Sequence, residues 1–196
     1  MRETLSGPYS TEEPDIKRAT FERLYHEYVL DGASRVIVYD SAYPKHEFLE
    51  FLIKEKGLLL HGSNHPDIHE LEPRQANDRA KVTGNQFGVY AVDNHILPLF
   101  FAIKDRERFF GRSESGYVRD EKGDIAKYLF RVEKEVLAQQ PWSSGVVYIL
   151  SKESFEQQHE NGRSTGEWVS PRAVKPCAVL SVSPDDFPYL SEIEGL

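Results

Sequence analysis

The stretch Gly57-Leu58-Leu59-Leu60-His61-Gly62-Ser63 decides the reading of this chain. Three consecutive leucines between glycines are too short for a helix, so they predict a buried strand that delivers His61, Gly62 and Ser63 at its end. On the amino-terminal side, Phe48, Leu49, Phe51, Leu52 and Ile53 follow Pro44 and precede Gly57, the start and stop signals of a helix. Before that, Arg35 to Tyr39 reads as a short β-branched strand. The apolar positions Ile16, Phe21, Leu24, Tyr25, Tyr28 and Val29 recur at steps of three and four, as an amphipathic helix ending near Gly32 requires. Residues 1–14, rich in Gly, Pro, Ser, Thr and Glu, read as a lead-in without regular structure.

On the carboxyl-terminal side, Pro66 to Leu71 predicts one helical turn stopped by Pro73, and a polar loop runs on to Gln86. Phe87 to Val92 predicts a second strand, with Asp93-Asn94 as a cap for an apolar helix over Ile96 to Ile103. The run Lys104 to Arg119 mixes both signs of charge and reads as a solvated loop, or as a surface that faces an acceptor. Beyond it, 126–132, 145–150, 167–170 and 177–183 are short β-prone segments separated by turn residues, which predicts antiparallel pairing. Helices mixed with many short strands in this order give an α+β class. The division expected is a lead-in and helix over 1–34 and a single domain over 35–196.

Composition limits the partners. The chain has 196 residues, 39% of them hydrophobic and 29% charged, enough apolar matter to bury one core. Its 24 basic and 32 acidic residues leave a formal charge of −8, which opposes non-specific attraction to nucleic acid or to an anionic membrane. The longest apolar stretch is far shorter than the roughly 20 residues that cross a bilayer, so no membrane partner is expected. The amino terminus lacks the basic flank and apolar run of a secretory signal, and together with a single cysteine, Cys177, this leads us to expect a cytoplasmic protein.

Several chemistries find no support. Neither Gly-x-Gly-x-x-Gly nor the Gly-Lys-Ser/Thr end of a P-loop occurs, nor does Gly-x-Ser-x-Gly. Cys177 follows Pro176 in a β-prone segment and reads as a small core residue. His61, His65 and His69 have the i, i+4 spacing of helical metal ligands, but Pro66 breaks the helix they would need, so no metal is expected.

Three separated segments remain: Leu60-His61-Gly62-Ser63, Gly88-Val89-Tyr90-Ala91-Val92-Asp93-Asn94, and Thr165-Gly166-Glu167-Trp168-Val169-Ser170. Taken singly, His61 also fits a buried core histidine, Tyr90 a packed strand aromatic, and Glu167 a solvent-facing strand carboxylate. Taken in order, they resemble the H-Y-E branch of the ADP-ribosyltransferase superfamily, which contains diphtheria toxin and the poly(ADP-ribose) polymerases. Phe101, 11 positions beyond Tyr90, has an offset similar to that of the family's second nicotinamide-stacking aromatic. The motifs span residues 58 to 182, and the first 57 residues lie outside the resemblance.

The resemblance implies split antiparallel sheets around an NAD cleft with flanking helices, His61 and Tyr90 on one wall and Glu167 on a facing strand. It implies NAD as substrate, bound by His61, Gly62, Ser63, Tyr90 and Phe101, with Glu167, His61 and Tyr90 as catalytic residues. His61 would bond a ribose hydroxyl, Gly62 and Ser63 the carboxamide of nicotinamide, and Tyr90 and Phe101 would sandwich its ring. Glu167 would stabilise the oxocarbenium-like state formed when the nicotinamide–ribose bond breaks. The activity implied is an NAD-dependent ADP-ribosyltransferase or an NAD glycohydrolase, with an acceptor, protein or nucleic acid, that these residues leave open. Phenylalanine at 101 lacks a hydroxyl and Pro98 falls within the expected helix, departures that imply weaker NAD binding. Thr165 stands where some relatives carry a Gln or Glu that reads the acceptor. A catalytically silent nucleotide-binding or interaction module of the same fold is the alternative, and RNA 2′-phosphotransferase chemistry ranks below both, since it relies on arginine where this chain has aromatics.

Overall fold

The computed structural model describes residues 12–75 and 86–196. It shows a mixed α+β architecture with two mostly antiparallel sheets, and none of its helices is long and apolar enough to cross a membrane. Helix α1 (Glu12–Leu24) runs into a π-helical turn, Tyr25–Val29, and ends before Gly32, whose φ of 64° a glycine adopts without Cβ strain. Strand β1 (Arg35–Val36) and helix α2 (Lys45–Lys54), opened by Pro44, lead to β2 (Leu59–Ser63). Strands β3 (Arg74–Gln75) and β4 (Phe87–Val92) precede α3 (Leu97–Ile103). There follow β5 (Ser113–Arg119), β6 (Ile125–Val132), α4 (Lys134–Leu137), β7 (Gly145–Leu150), β8 (Glu156–Glu160), β9 (Arg163–Ser170), β10 (Ala178–Val182) and β11 (Glu194–Gly195).

The larger sheet has the order β1-β10-β7-β2-β4-β9-β8, with β3 also paired to β4. Strand β7 lies inside it and every one of its residues is buried, which explains its unbroken apolar run. Val147 and Ile149 join Leu60, α1, α2 and α3 in the main core, whereas Val146, Tyr148 and Leu150 join Leu59, Val89 and Ala91 in a smaller core on the opposite face. The second sheet, β11-β6-β5, is attached through aromatic contacts that join Phe130 to Phe100 and Phe187, with ring centroids 5.0 and 4.9 Å apart.

Two glycines bring α3 onto the large sheet. A Cβ at Gly62 would lie 1.9 Å from the Pro98 carbonyl oxygen, and one at Gly145 would lie 2.0 Å from that of Ala102. Pro98 does not interrupt this helix. It sits in the first turn, where a missing N–H costs nothing, and Asn94 Oδ1 accepts from the main-chain N–H groups of Ile96 and Leu97 at 2.9 Å.

Several sequence expectations need correction. Residues 66–71 form turns rather than a helix, because Leu71 pairs with Val174 and Tyr148 Oη accepts from Ile68 N. The charged run is not one solvated loop: 113–119 is strand β5, and Lys104 is buried with its Nζ donating to Ser113 Oγ at 2.7 Å. Strand β8, polar throughout, escaped the reading because its partner β9 supplies the ladder that its composition does not suggest. The lead-in of residues 1–14 lies mostly outside the described residues, and helix α1 already begins at Glu12.

The packing of α3 is directly testable. Gly145→Ala is expected to lower stability by about 1–3 kcal/mol, read from urea unfolding, because its methyl meets rigid backbone. Gly116→Ala, where nothing lies within 4 Å, is expected to change it by about 0.5 kcal/mol or less.

Candidate functional site

The site begins where the ladder between β2 and β4 opens. These neighbours share a single register pair, Leu60 with Val92, whereas β2 pairs with β7 along all five of its residues. Past that pair, the β4 edge is completed by two other groups. Tyr90 O accepts from His61 Nδ1 at 2.7 Å, and Gly88 and Phe87 pair with Arg74 and Gln75 of β3. An imidazole therefore stands where a strand N–H would have been, and the gap it props open is the mouth of a cavity of about 520 Å³. That volume suits a small-molecule ligand.

A carbonyl oxygen only accepts, so the bond to Tyr90 O puts the proton of neutral His61 on Nδ1 and leaves Nε2 as an acceptor. Burial lowers the pKa of His61 below the ordinary imidazole value. The hydrogen bond to Tyr90 opposes that shift, and the charges of Arg106 and Arg74 add to it. Burial and these charges thus favour the neutral form of His61.

Strand alternation orients the main chain of Gly62. Ile37 N donates to Val179 O, so Val179 turns toward β1 and its neighbours in β10 turn toward β7. Following the registers inward, His61 faces β7 with its main-chain groups, while those of Leu60 and Gly62 face β4. The Gly62 N–H and C=O consequently point into the opened gap. Its absent Cβ answers to the approach of Pro98 rather than to a ligand, which corrects the reason expected for a glycine here.

Tyr90 lines the cavity, and its hydroxyl donates to Gln86 O at 3.1 Å and accepts from Gln86 N at 3.0 Å. Phe101, on α3, lines it too, with the Arg106 guanidinium 5.4 Å from its ring centroid. Glu167 reaches the same cavity from β9, paired with Val92 of β4. The preceding Gly166 has a φ of 78°, and a Cβ there would meet Tyr117 Oη at 2.5 Å and Asp93 Oδ1 at 3.1 Å. The Thr165 hydroxyl is engaged between strands β8 and β9, donating to Gln158 O and accepting from Glu167 N.

All six residues expected at the site, His61, Gly62, Ser63, Tyr90, Phe101 and Glu167, therefore border one cavity. Their arrangement differs from expectation in one respect. His61, Tyr90 and Glu167 occupy three successive strands of a single sheet, β2, β4 and β9, so Glu167 stands beside the other two in that sheet rather than on a strand that faces them. The cleft comes from the parting of β2 and β4 within that sheet.

Three contributors were missed in the sequence. Tyr148, fully buried, donates its hydroxyl to His65 O at 2.6 Å and accepts from Ile68 N at 3.0 Å, tethering the loop after β2. Arg74 and Arg106 bring positive charge to the cavity. Arg106 lay in the run read as solvated, and nothing in its local sequence marks it out. Comparison with protein-family models, curated proteins and solved structures returns no match.

The state of His61 gives a measurable consequence. Its folded pKa is lowered, so the unfolded chain binds the proton more tightly, and the stability this group confers is present above about pH 6.5 and lost as pH falls below it. His61→Asn is expected to flatten that acid limb in unfolding experiments, and ¹⁵N-edited spectra at about pH 7 are expected to show the Nδ1–H tautomer. Parallel pH profiles for both proteins would contradict this assignment.

Proposed function

We propose that the chain cleaves the nicotinamide–ribose bond of NAD and passes ADP-ribose to an acceptor or to water, in the manner of the H-Y-E ADP-ribosyltransferases, and that its opened sheet is the NAD cleft of that fold. One observation carries the reading: His61, Tyr90 and Glu167, far apart in the chain, border the same cavity where β2 and β4 part.

The chemistry follows from the groups. The Gly62 N–H donates to the carboxamide oxygen of nicotinamide and its C=O accepts from the carboxamide nitrogen, two contacts that orient the leaving group. His61 Nε2, held as an acceptor, receives a hydrogen bond from a ribose hydroxyl. Tyr90 and Phe101 flank the planar ring. When the C1′–N bond breaks, both electrons leave with nicotinamide, which departs neutral, and positive charge spreads over C1′ and the ring oxygen of ribose. The Glu167 carboxylate stabilises that charge more than the ground state, the condition for acceleration. The acceptor oxygen or nitrogen then bonds to C1′ and releases its proton. The Thr165 hydroxyl is already engaged by Gln158 O and Glu167 N, so it offers an acceptor less than a free Gln or Glu side chain would.

The experiment is nicotinamide release from NAD by wild-type protein and by Glu167→Gln. The variant is expected to lose on the order of 10²–10³ in rate while binding NAD within about threefold of wild type. Wild-type protein that binds NAD without releasing nicotinamide, with or without added acceptor proteins, would indicate a silent module instead.

A further inference from the structure

The cavity carries two positive charges that the proposed cleavage step does not use. Arg74, on β3, and Arg106, just beyond α3, border it from different elements. Both charges lie near enough to His61 to lower its proton affinity. Among the described residues, neither guanidinium has a carboxylate within ion-pair distance. Arg18, Arg23, Arg35, Arg108, Arg112 and Arg131 each pair with an Asp or Glu, and Arg119, Arg163 and Arg172, which also have no such pair among the described residues, do not border the cavity. Among the described residues, the nearby Glu107 faces His65 at 3.5 Å, and Glu72 borders the cavity without an ion pair to either arginine. Arg106 is solvent-exposed overall, but the protein around its guanidinium lowers its pKa by partial desolvation, and the guanidinium stands 5.4 Å from the Phe101 ring centroid.

We infer that Arg74 and Arg106 form a diphosphate subsite of this cavity, which takes the paired phosphates of a nucleotide ligand. A guanidinium offers a planar fork of donors that matches phosphate oxygens, and two forks arriving from separate elements suit a group with two linked phosphates better than a single carboxylate. In a chain of net charge −8, two guanidiniums at one cavity with no ion pair among the described residues also concentrate the attraction for an anionic ligand there. The subsite deepens the NAD reading, on which it rests for the identity of the full ligand. The diphosphate would bind on the Arg74 and Arg106 side, with the nicotinamide ribose toward His61 and Glu167.

Calorimetric titration of the full chain with ADP, inorganic pyrophosphate and adenosine tests this, using wild type, Arg74→Gln, Arg106→Gln, Arg106→Lys and the surface control Lys122→Gln. ADP is expected to bind at least about tenfold more tightly than adenosine, and each Arg→Gln change to weaken ADP and pyrophosphate about tenfold or more. Lys122→Gln should leave both unchanged, Arg106→Lys should recover part of the loss, and raised salt should weaken ADP binding. Unchanged melting temperatures would show that the variants fold. Equal affinity for ADP and adenosine, no ADP binding, or folded arginine variants that bind ADP as wild type does would overturn the subsite. The two readings fail separately. Arginine-dependent ADP binding without NAD cleavage sinks the cleavage reading alone, and NAD cleavage with arginine-independent ADP binding sinks the subsite alone.

Discussion

The hydrogen bond from His61 Nδ1 to the Tyr90 carbonyl is the contact on which the arrangement of this protein depends. Two neighbouring strands of a sheet ordinarily zip along their full length, because a buried main-chain group left without a partner costs about 1–3 kcal/mol. Here β2 and β4 part after one pair, and the opening persists because a side chain satisfies the carbonyl that a strand would have taken. One bond thus separates the strands, selects the tautomer of His61 and brings both residues to the cavity wall.

The remaining architecture supports that opening from behind. Strand β7 holds β2 along its entire length, so β2 cannot follow β4, while β9 holds β4 from the other side. Helix α3 lies against the backs of β2 and β7, brought close by Gly62 and Gly145, and carries Phe101 to the cavity. Tyr148 extends the same logic, since its ring packs in the smaller core while its hydroxyl fastens the loop that follows Ser63. Gly62 consequently serves two constraints at once. Its missing Cβ admits the Pro98 carbonyl, and its main-chain groups face the gap.

Electrostatics give the cavity its character. The protein as a whole is acidic, yet this site gathers two guanidiniums that have no carboxylate partner among the described residues, beside an imidazole whose pKa is lowered by burial and by their charges. Such a wall can hold an anionic group while the acceptor nitrogen of His61 stays available. Glu167 borders the same space from within β9, directly after Gly166 with its φ of 78°.

Much of this was legible in the residues themselves. Glycine and proline stops bounded α2 and β2, the β-prone run over 145–150 marked a strand, and the order of the His61, Tyr90 and Glu167 segments named residues that border the cavity. These are local signals, carried by backbone preference and by side chains a few positions apart. The pairing of polar strand β8, the parting of β2 from β4, and the placing of Arg74 and Arg106 were not legible. Each depends on which main-chain groups and charges, tens of residues apart, come to share an edge or a cavity. Hydrogen-bond partnership and desolvation are properties of that assembly, so the sequence determined which residues could form the site and the tertiary structure alone decided that they face one another.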